Sequence, residues 1–355
     1  MDELTLYLQS DYYDEYELEQ ILNKKIIITD DHIKNIKFNQ HDSEFNIITL
    51  FEKYGYVFTN EICMLLMNKN ASAIIDFPED KKTDEICKIA VQSDGWLLNY
   101  VPKNKKSDEI CKIAVSRDGT ALEGVPDDKK TDELCKIAVQ SDGWLLKYVP
   151  INKRTDEICR IAVSQDGTAL SFVPSDKKTD DLYKLAVKQH EYAIRFIPDH
   201  KRTYEICKIA VQQYGIALKY IPEDNKTNEL CEIAVQQDGT VLEYVPEDKK
   251  TYKICEIAVR KNGEALAYIL KNKKTIELCK LAVQQHGFAL KYVPEDKKTD
   301  EICEIAVQQN RFALQFVPED KKIDELCKIA VHHDIDTFQF IPEDKKQLFI
   351  KMDKL

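Results

Sequence analysis

Apolar residues recur along this chain in a fixed order, Ile86, Cys87, Ile89, Ala90 and Val91 followed by Leu97, Leu98, Tyr100 and Val101, and the order returns every 24 residues. The first cluster has the i, i+3, i+4 spacing of one helix face. Thr83 precedes it as an N-cap, and Asp84 and Glu85 fill the first turn, where the helix dipole favours negative charge. Ser or Thr holds the cap place in eleven of twelve copies, Thr59 and Ser107 included, with Ile323 the exception. Asp94-Gly95 is expected to close the helix, the glycine taking the left-handed conformation of a C-terminal cap. A second, shorter helix then carries Leu97, Leu98, Tyr100 and Val101, and Pro102 is expected to stop it. Each copy reads as a helical hairpin of about ten plus about six residues, too small to bury its own apolar stripe, so stacking on neighbours is required.

Three residue types mark the period. All eleven prolines lie at 78 plus a multiple of 24, and only Leu270 breaks the series. The eleven cysteines run from Cys63 to Cys327 in the same way, with Tyr183 the one substitution. Eight of the ten glycines share a third register, from Gly95 to Gly287. Residues 79–126 and 127–174 further look like a duplicated pair of units, since 92–98 and 140–146 both read Gln-Ser-Asp-Gly-Trp-Leu-Leu. The pattern predicts an all-α solenoid of about twelve 24-residue two-helix repeats over 55–342, with helical caps at 1–54 and 343–355. Within the first cap, Glu15–Leu22 and Ser43–Tyr54 have helical apolar spacing, and Gln347–Met352 reads as a short closing helix. A leucine-rich repeat is the rival fold, because Ile86-x-x-Ile89-x-Val91-x-x-Asp94 fits its core. Two columns favour helices: Ala90 and its equivalents stand where an outward polar residue is needed, and the Asp94 column also holds His190, Tyr214 and His286.

Composition narrows the function. The chain of 355 residues carries Lys+Arg 51 against Asp+Glu 62, a net charge of −11, which weighs against a general phosphate-backbone binder. Residues 1–54 hold twelve acids and five lysines, so the acidity is concentrated there and the array is nearly neutral. The acidic start argues against a signal or transit peptide. The longest aliphatic run, Ile26-Ile27-Ile28, argues against a membrane span.

The pattern Asp-Glu-x-x-x-x-Ala-Val-x-x-x-Gly-x-Ala-Leu-x-Tyr-Val-Pro, to which Asn262-Gly263-Glu264-Ala265-Leu266-Ala267-Tyr268 stands close, resembles the short repeats catalogued as domain of unknown function 4116. The resemblance covers about 290 residues. Such repeats occur in tandem in giant viruses of amoebae and in some amoeba-associated bacteria. The resemblance carries no enzymatic activity. Composition and the expected reduced cysteines point to an intracellular, reducing location, in the host cytoplasm or the virion if the source is viral.

Three columns could carry chemistry. The cysteines are not spaced as metal ligands, since no C-x-x-C pair exists. Equivalent sites on stacked helices lie about 8–10 Å apart, too far for disulfides. They are expected to be buried, reduced, apolar side chains. A base precedes the helix cap in eleven successive units: Lys82, Lys106, Lys130, Arg154, Lys178, Arg202, Lys226, Lys250, Lys274, Lys298 and Lys322. This reads either as solvated loop charge or as a basic stripe for an acidic partner or nucleic acid strand. The column after the glycine varies, and its aromatic members Trp96, Trp144, Tyr192, Phe288 and Phe312 read either as packing between repeats or as anchors for a protein partner. The seven histidines follow no catalytic or metal spacing.

The expected function is therefore a non-catalytic repeat scaffold or adaptor for protein–protein interaction, with the Trp96–Phe312 column as its partner-binding residues. No catalytic, cofactor or metal site is expected. Nucleic-acid binding along the lysine column is the alternative, disfavoured by the near-neutral array.

Overall fold

Thr83 is extended (φ −67°, ψ 164°), and its hydroxyl accepts the Ile86 N–H at 3.3 Å, which starts the helix Asp84–Ser93. The same cap begins Asp108–Arg117 from Ser107, Asp132–Ser141 from Thr131 and Asp156–Gln165 from Thr155. The computed structural model describes residues 3–9, 15–24, 27–36, 47–333 and 335–346, and every regular element among them is helical. Two compact units are present, Met1–Lys178 and Thr179–Leu355.

Within the first unit these ten-residue helices pack in series, each on the next. A second row runs against them, made of Gly95–Tyr100, Gly119–Gly124, Gly143–Tyr148 and Gly167–Phe172. In the second unit the helix row runs from Asp180–Gln189 to Asp324–His333, faced by the row from Ala193–Phe196 to Ile335–Phe340. Ile86, Cys87, Ala90 and Val91 of the helix and Leu97, Leu98 and Val101 of the second row are buried, and the same seven places are buried in every following repeat up to Val317. A fully buried Leu, Ile or Val contributes about 1.5–3 kcal/mol, so each added repeat extends the core by several such increments.

The second element is a 3-10 helix rather than an α-helix. Leu97 N–H donates to Asp94 C=O and Val101 N–H to Leu98 C=O, both at 3.1 Å, closing three-residue turns. At three residues per turn the element has three edges. Trp96 and Asn99 share the outer edge and are exposed, while Leu97 and Leu98 face inward. Glu191 stands where most repeats have glycine, and there the element shortens to Ala193–Phe196.

The glycine column has a different purpose from a left-handed cap. Asp94 ends the α-helix in an extended conformation (φ −146°, ψ 121°), and its carboxylate accepts the Trp96 N–H at 3.0 Å, capping the 3-10 helix instead. A Cβ on Gly215 would stand 2.9 Å from the carbonyl oxygen of Ala234 in the next repeat, and on Gly143 or Gly239 it would collide with that of Ala162 or Ala258. Glycine in one row and alanine in the other allow the two backbones to touch. The one positive-φ glycine among the described residues is Gly55 (φ 85°). There Tyr56 N–H returns to Phe51 C=O at 3.0 Å and closes the helix Ile47–Lys53.

Proline also acts differently from expectation. The 3-10 helix Gly95–Tyr100 has ended at Val101 before Pro102 is reached. Pro102 (φ −55°, ψ 144°) opens a further 3-10 turn, Lys103–Lys105, by accepting the Lys105 N–H at 2.8 Å.

In the N-terminal region the described helices are Glu3–Leu8, Glu15–Leu22, Asp30–Lys34 and Ile47–Lys53, which bury Leu4, Leu8, Leu18, Ile33, Ile48 and Phe51. Glu15–Leu22 forms where its apolar spacing predicted, whereas residues 43–46 of the second predicted segment lie outside the described residues. The closing helix expected at Gln347–Met352 also lies outside them.

Candidate functional site

Seven of the eleven bases of the column are buried and the other four half-buried, against both readings of it as solvent-facing charge. Lys82, Lys130, Lys226, Lys250, Lys274, Lys298 and Lys322 are each at most 9% exposed. Five of these ammonium groups close their own repeat, among them Lys226, which donates to the Tyr244 carbonyl oxygen at 2.9 Å, Lys274 to Tyr292 at 2.8 Å and Lys322 to Phe340 at 3.0 Å, each 18 residues on. Arg202 makes the same bond to Tyr220 at 3.0 Å. The acceptors end 3-10 helices, whose last carbonyls have no partner within the helix. Many of these bases also hold the carboxylate three residues earlier, as Lys298 holds Glu295 at 2.6 Å and Lys322 holds Glu319 at 2.7 Å. Burial lowers the affinity of Lys106 and Lys274 for their protons. Sequence reasoning missed this role because the base lies in a polar loop, and nothing local shows a carbonyl waiting 18 residues on, at the far end of the same repeat.

The cysteine column sits beneath it. All eleven thiols are free and buried. Burial pushes those of Cys87, Cys159, Cys207 and Cys303 up to about 11. Cys87 Sγ donates to the Lys82 carbonyl oxygen at 3.6 Å and Cys207 Sγ to that of Arg202 at 3.5 Å, tying the loop that carries the base. A buried thiol with a raised pKa is a poor nucleophile.

The surface carries two ladders of ion pairs between successive repeats. Lys88–Glu109, Lys112–Glu133 and Lys208–Glu229 close at 2.5, 2.8 and 2.7 Å across 21 residues. Lys177–Asp156 and Lys321–Asp300, at 2.8 and 2.6 Å, run the other way, from a loop to the first turn of the preceding helix. These pairs are exposed, where each contributes about 0–1 kcal/mol.

The aromatic column lies on the outer edge of the 3-10 row. Trp144 meets Phe172 edge-on at 4.7 Å between ring centroids, Phe288 meets Phe316 at 5.7 Å, and Phe312 meets Phe340 at 6.5 Å. Tyr192 lies tilted against Tyr220 at 5.6 Å. Each of these rings packs on an aromatic of the following repeat, which is the packing reading of the column. Three nonetheless keep a large part of their surface in solvent: Trp96 45%, Trp144 40% and Tyr192 41%. Trp96 differs because Gly124 occupies the place of the receiving ring, and it turns onto its own Tyr100 at 5.2 Å. The five predicted residues therefore do not converge on one pocket. They stand singly, Trp96 and Trp144 along an edge of the first unit and Tyr192, Phe288 and Phe312 along an edge of the second.

The receiving column, Tyr148, Phe172, Tyr220, Tyr244, Tyr268 and Tyr292 among others, was legible only as part of the apolar pattern. Cations cover several of its rings: Lys147 over Tyr148 at 4.4 Å, Lys291 over Tyr292 at 4.5 Å, and Lys219 over both Tyr220 and Tyr244. The edge is thus a strip of half-buried rings interleaved with ammonium groups.

Two polar departures from the repeat meet in the second unit. His286 Nδ1 is buried without a hydrogen-bond partner and lies 3.8 Å from the Glu264 carboxylate, which Lys291 approaches at 3.7 Å. Among the described residues no three His, Cys, Asp or Glu side chains are grouped to hold a metal ion, and no helix is long and apolar enough to cross a membrane.

A family described as "Domain of unknown function (DUF4116)" matches five tandem segments, residues 107–153, 131–176, 180–226, 228–272 and 275–320, together more than half of the chain. Each segment spans about two of the 24-residue units. No curated protein matches the chain.

Proposed function

This chain belongs to the DUF4116 family, a domain of unknown function, and from that premise we propose that it is a non-catalytic scaffold, a solenoid of twelve 24-residue helical units that holds a protein partner along its aromatic edge. The observation that carries this reading is the exposure of Trp96, Trp144 and Tyr192. Indole and phenol rings left wet at regular intervals are the side chains that anchor protein interfaces. Flanking lysines and the polar outer edge give the rim such an anchor needs.

Binding of nucleic acid along the basic column has no comparable support. A phosphate would have to compete with a backbone carbonyl for an ammonium group that is already inside the fold.

The test is capture of partners from a lysate of the native cells by the tagged chain, with and without nuclease. The wild-type chain is expected to retain a nuclease-resistant protein, and the double variant Trp96→Ala, Trp144→Ala to retain much less with unchanged far-UV helical signal. Equal capture by both would remove the aromatic edge as the binding surface. A catch that disappears with nuclease would overturn the proposal.

A further inference from the structure

The repeat departs from its own pattern most densely on one edge of the second unit. At the first position of the helix, repeats before and after carry aspartate (Asp156, Asp180, Asp300, Asp324), while four successive repeats between them carry Tyr204, Asn228, Tyr252 and Ile276. Leu270, the only interruption of the proline series, lies in the loop leading to Ile276. Tyr252 is 52% exposed, and Leu270 and Ile276 are each 48% exposed.

Nothing in the fold asks for these side chains. Leu270 has the backbone of a proline (φ −61°, ψ 144°, against −59° and 142° at Pro294). Its carbonyl accepts Lys273 N–H at 2.9 Å just as that of Pro294 accepts Lys297 N–H. Ile269 before it is extended (φ −100°, ψ 132°), the conformation a following proline requires. At the helix start, an aspartate would gain from the dipole and from a loop lysine, as Asp300 gains from Lys321 at 2.6 Å. With Tyr252 in that place, Lys273 turns inward instead, to the carbonyl oxygen of Glu247 at 2.5 Å.

The charge departs with them. Lys253 replaces the acid that eight preceding repeats carry at the second helical position, and Lys271 replaces the acid found at Glu247, Glu295 and Glu319. Both ammonium groups point to solvent. Lys253 holds the half-buried Glu232 at 2.6 Å, and Lys271 holds Asp296 at 3.7 Å in an exposed pair that an incoming carboxylate can replace at little cost. Three exposed apolar side chains and two exposed bases thus fall within two successive repeats of a chain of net charge −11.

We propose that the edge formed by Tyr252, Leu270 and Ile276 with Lys253 and Lys271 docks an acidic polypeptide segment that carries large apolar side chains. The carboxylates of such a segment meet Lys253 and Lys271 while its apolar side chains cover Tyr252, Leu270 and Ile276. A nucleic acid is the poorer fit, because Leu270 and Ile276 offer no ring for a base to stack on and two bases are too few to track a phosphate backbone. The proposal rests on the reading of the chain as a protein-binding array and adds a surface separate from the aromatic edge.

The probe is a random 16-residue peptide library displayed on phage, panned on the full chain, with the selected peptides then synthesised and titrated by fluorescence anisotropy. The key variant combines Tyr252→Asp, Lys253→Glu, Leu270→Pro and Ile276→Asp, each of which installs the residue other repeats carry at the same place and so keeps the fold. Selected peptides are expected to be rich in Asp or Glu with Leu, Phe or Trp, and to bind this variant at least tenfold more weakly. The Trp96→Ala, Trp144→Ala chain is expected to bind them as the wild type does. Absence of selection, peptides without acidic residues, or equal binding to the restored variant would each overturn the proposal. Peptides lost on the tryptophan variant but held by the restored one would belong to the aromatic edge, which would refute this surface while supporting the other.

Discussion

Lys298 lies one residue before the cap of its helix, and its ammonium group donates at 2.8 Å to the carbonyl oxygen of Phe316, the last residue of the 3-10 helix in the same repeat's second row. The bond spans 18 residues and is buried at the lysine end. It joins the start of one α-helix to the end of the 3-10 helix that follows it. Repeated at 24-residue intervals, it replaces what would otherwise be a series of unsatisfied carbonyls.

Lys298→Met keeps the aliphatic stem and leaves the Phe316 carbonyl without its donor, so it is expected to cost about 1–3 kcal/mol. Lys298→Arg is expected to be nearly neutral, because Arg202 already makes this bond to Tyr220 at 3.0 Å. Urea unfolding of the two variants, read by far-UV circular dichroism, checks the pair. Equal stability of the methionine variant and the wild type would show that the bond contributes nothing net.

Gly239→Ala sets a methyl group against the carbonyl oxygen of Ala258, a backbone atom that cannot turn aside. The expected loss is about 1–3 kcal/mol, the usual cost of overpacking. Gly55→Ala is expected to be costly for another reason, since its φ of 85° strains any side chain although the space around it is open. Thermal melts of both variants test this. A Gly239→Ala protein as stable as the wild type would mean that the two rows part easily.

The thiols make the fold sensitive to alkali. Burial pushes Cys87, Cys231, Cys279 and Cys303 up from 9.0 to about 11, so between these values the folded chain keeps protons that the unfolded chain has released. Their contribution to stability is complete below about pH 9 and is lost as pH rises through about 11. The urea midpoint is expected to fall across that window, and Cys303→Ala to reduce the slope. At pH 8 a thiol reagent is expected to label the native chain hardly at all and the urea-unfolded chain at all eleven sites. Rapid labelling of native protein would show that the thiols are accessible.

Leu270→Pro is expected to stabilise the chain by about 0.4–1 kcal/mol, because the backbone already has the proline conformation and the unfolded state loses freedom. A higher melting temperature checks it. A lower one would mean that the exposed leucine makes a contact the fold needs.

Much of the repeat could be read in one dimension. The 24-residue period, the hydroxyl caps at Thr83 and its equivalents, and the buried set Ile86, Cys87, Ala90 and Val91 are local properties, governed by helix spacing and by the groups that satisfy a helix start. The burial of the cysteines followed from their place in that apolar set.

What escaped the sequence depends on atoms far apart along the chain that folding brings together. Gly95 reads as a left-handed cap until the Ala114 carbonyl of the next helix is seen beside it. Lys226 reads as loop charge until the Tyr244 carbonyl appears 18 residues on. The 3-10 winding of Gly95–Tyr100 follows from its position between the Asp94 cap and the neighbouring rows. Local spacing sets which residues form helices and which side they bury. Only stacking decides which backbone groups lack a partner and how closely two rows approach, because those demands arise between chain segments that have no contact until they fold.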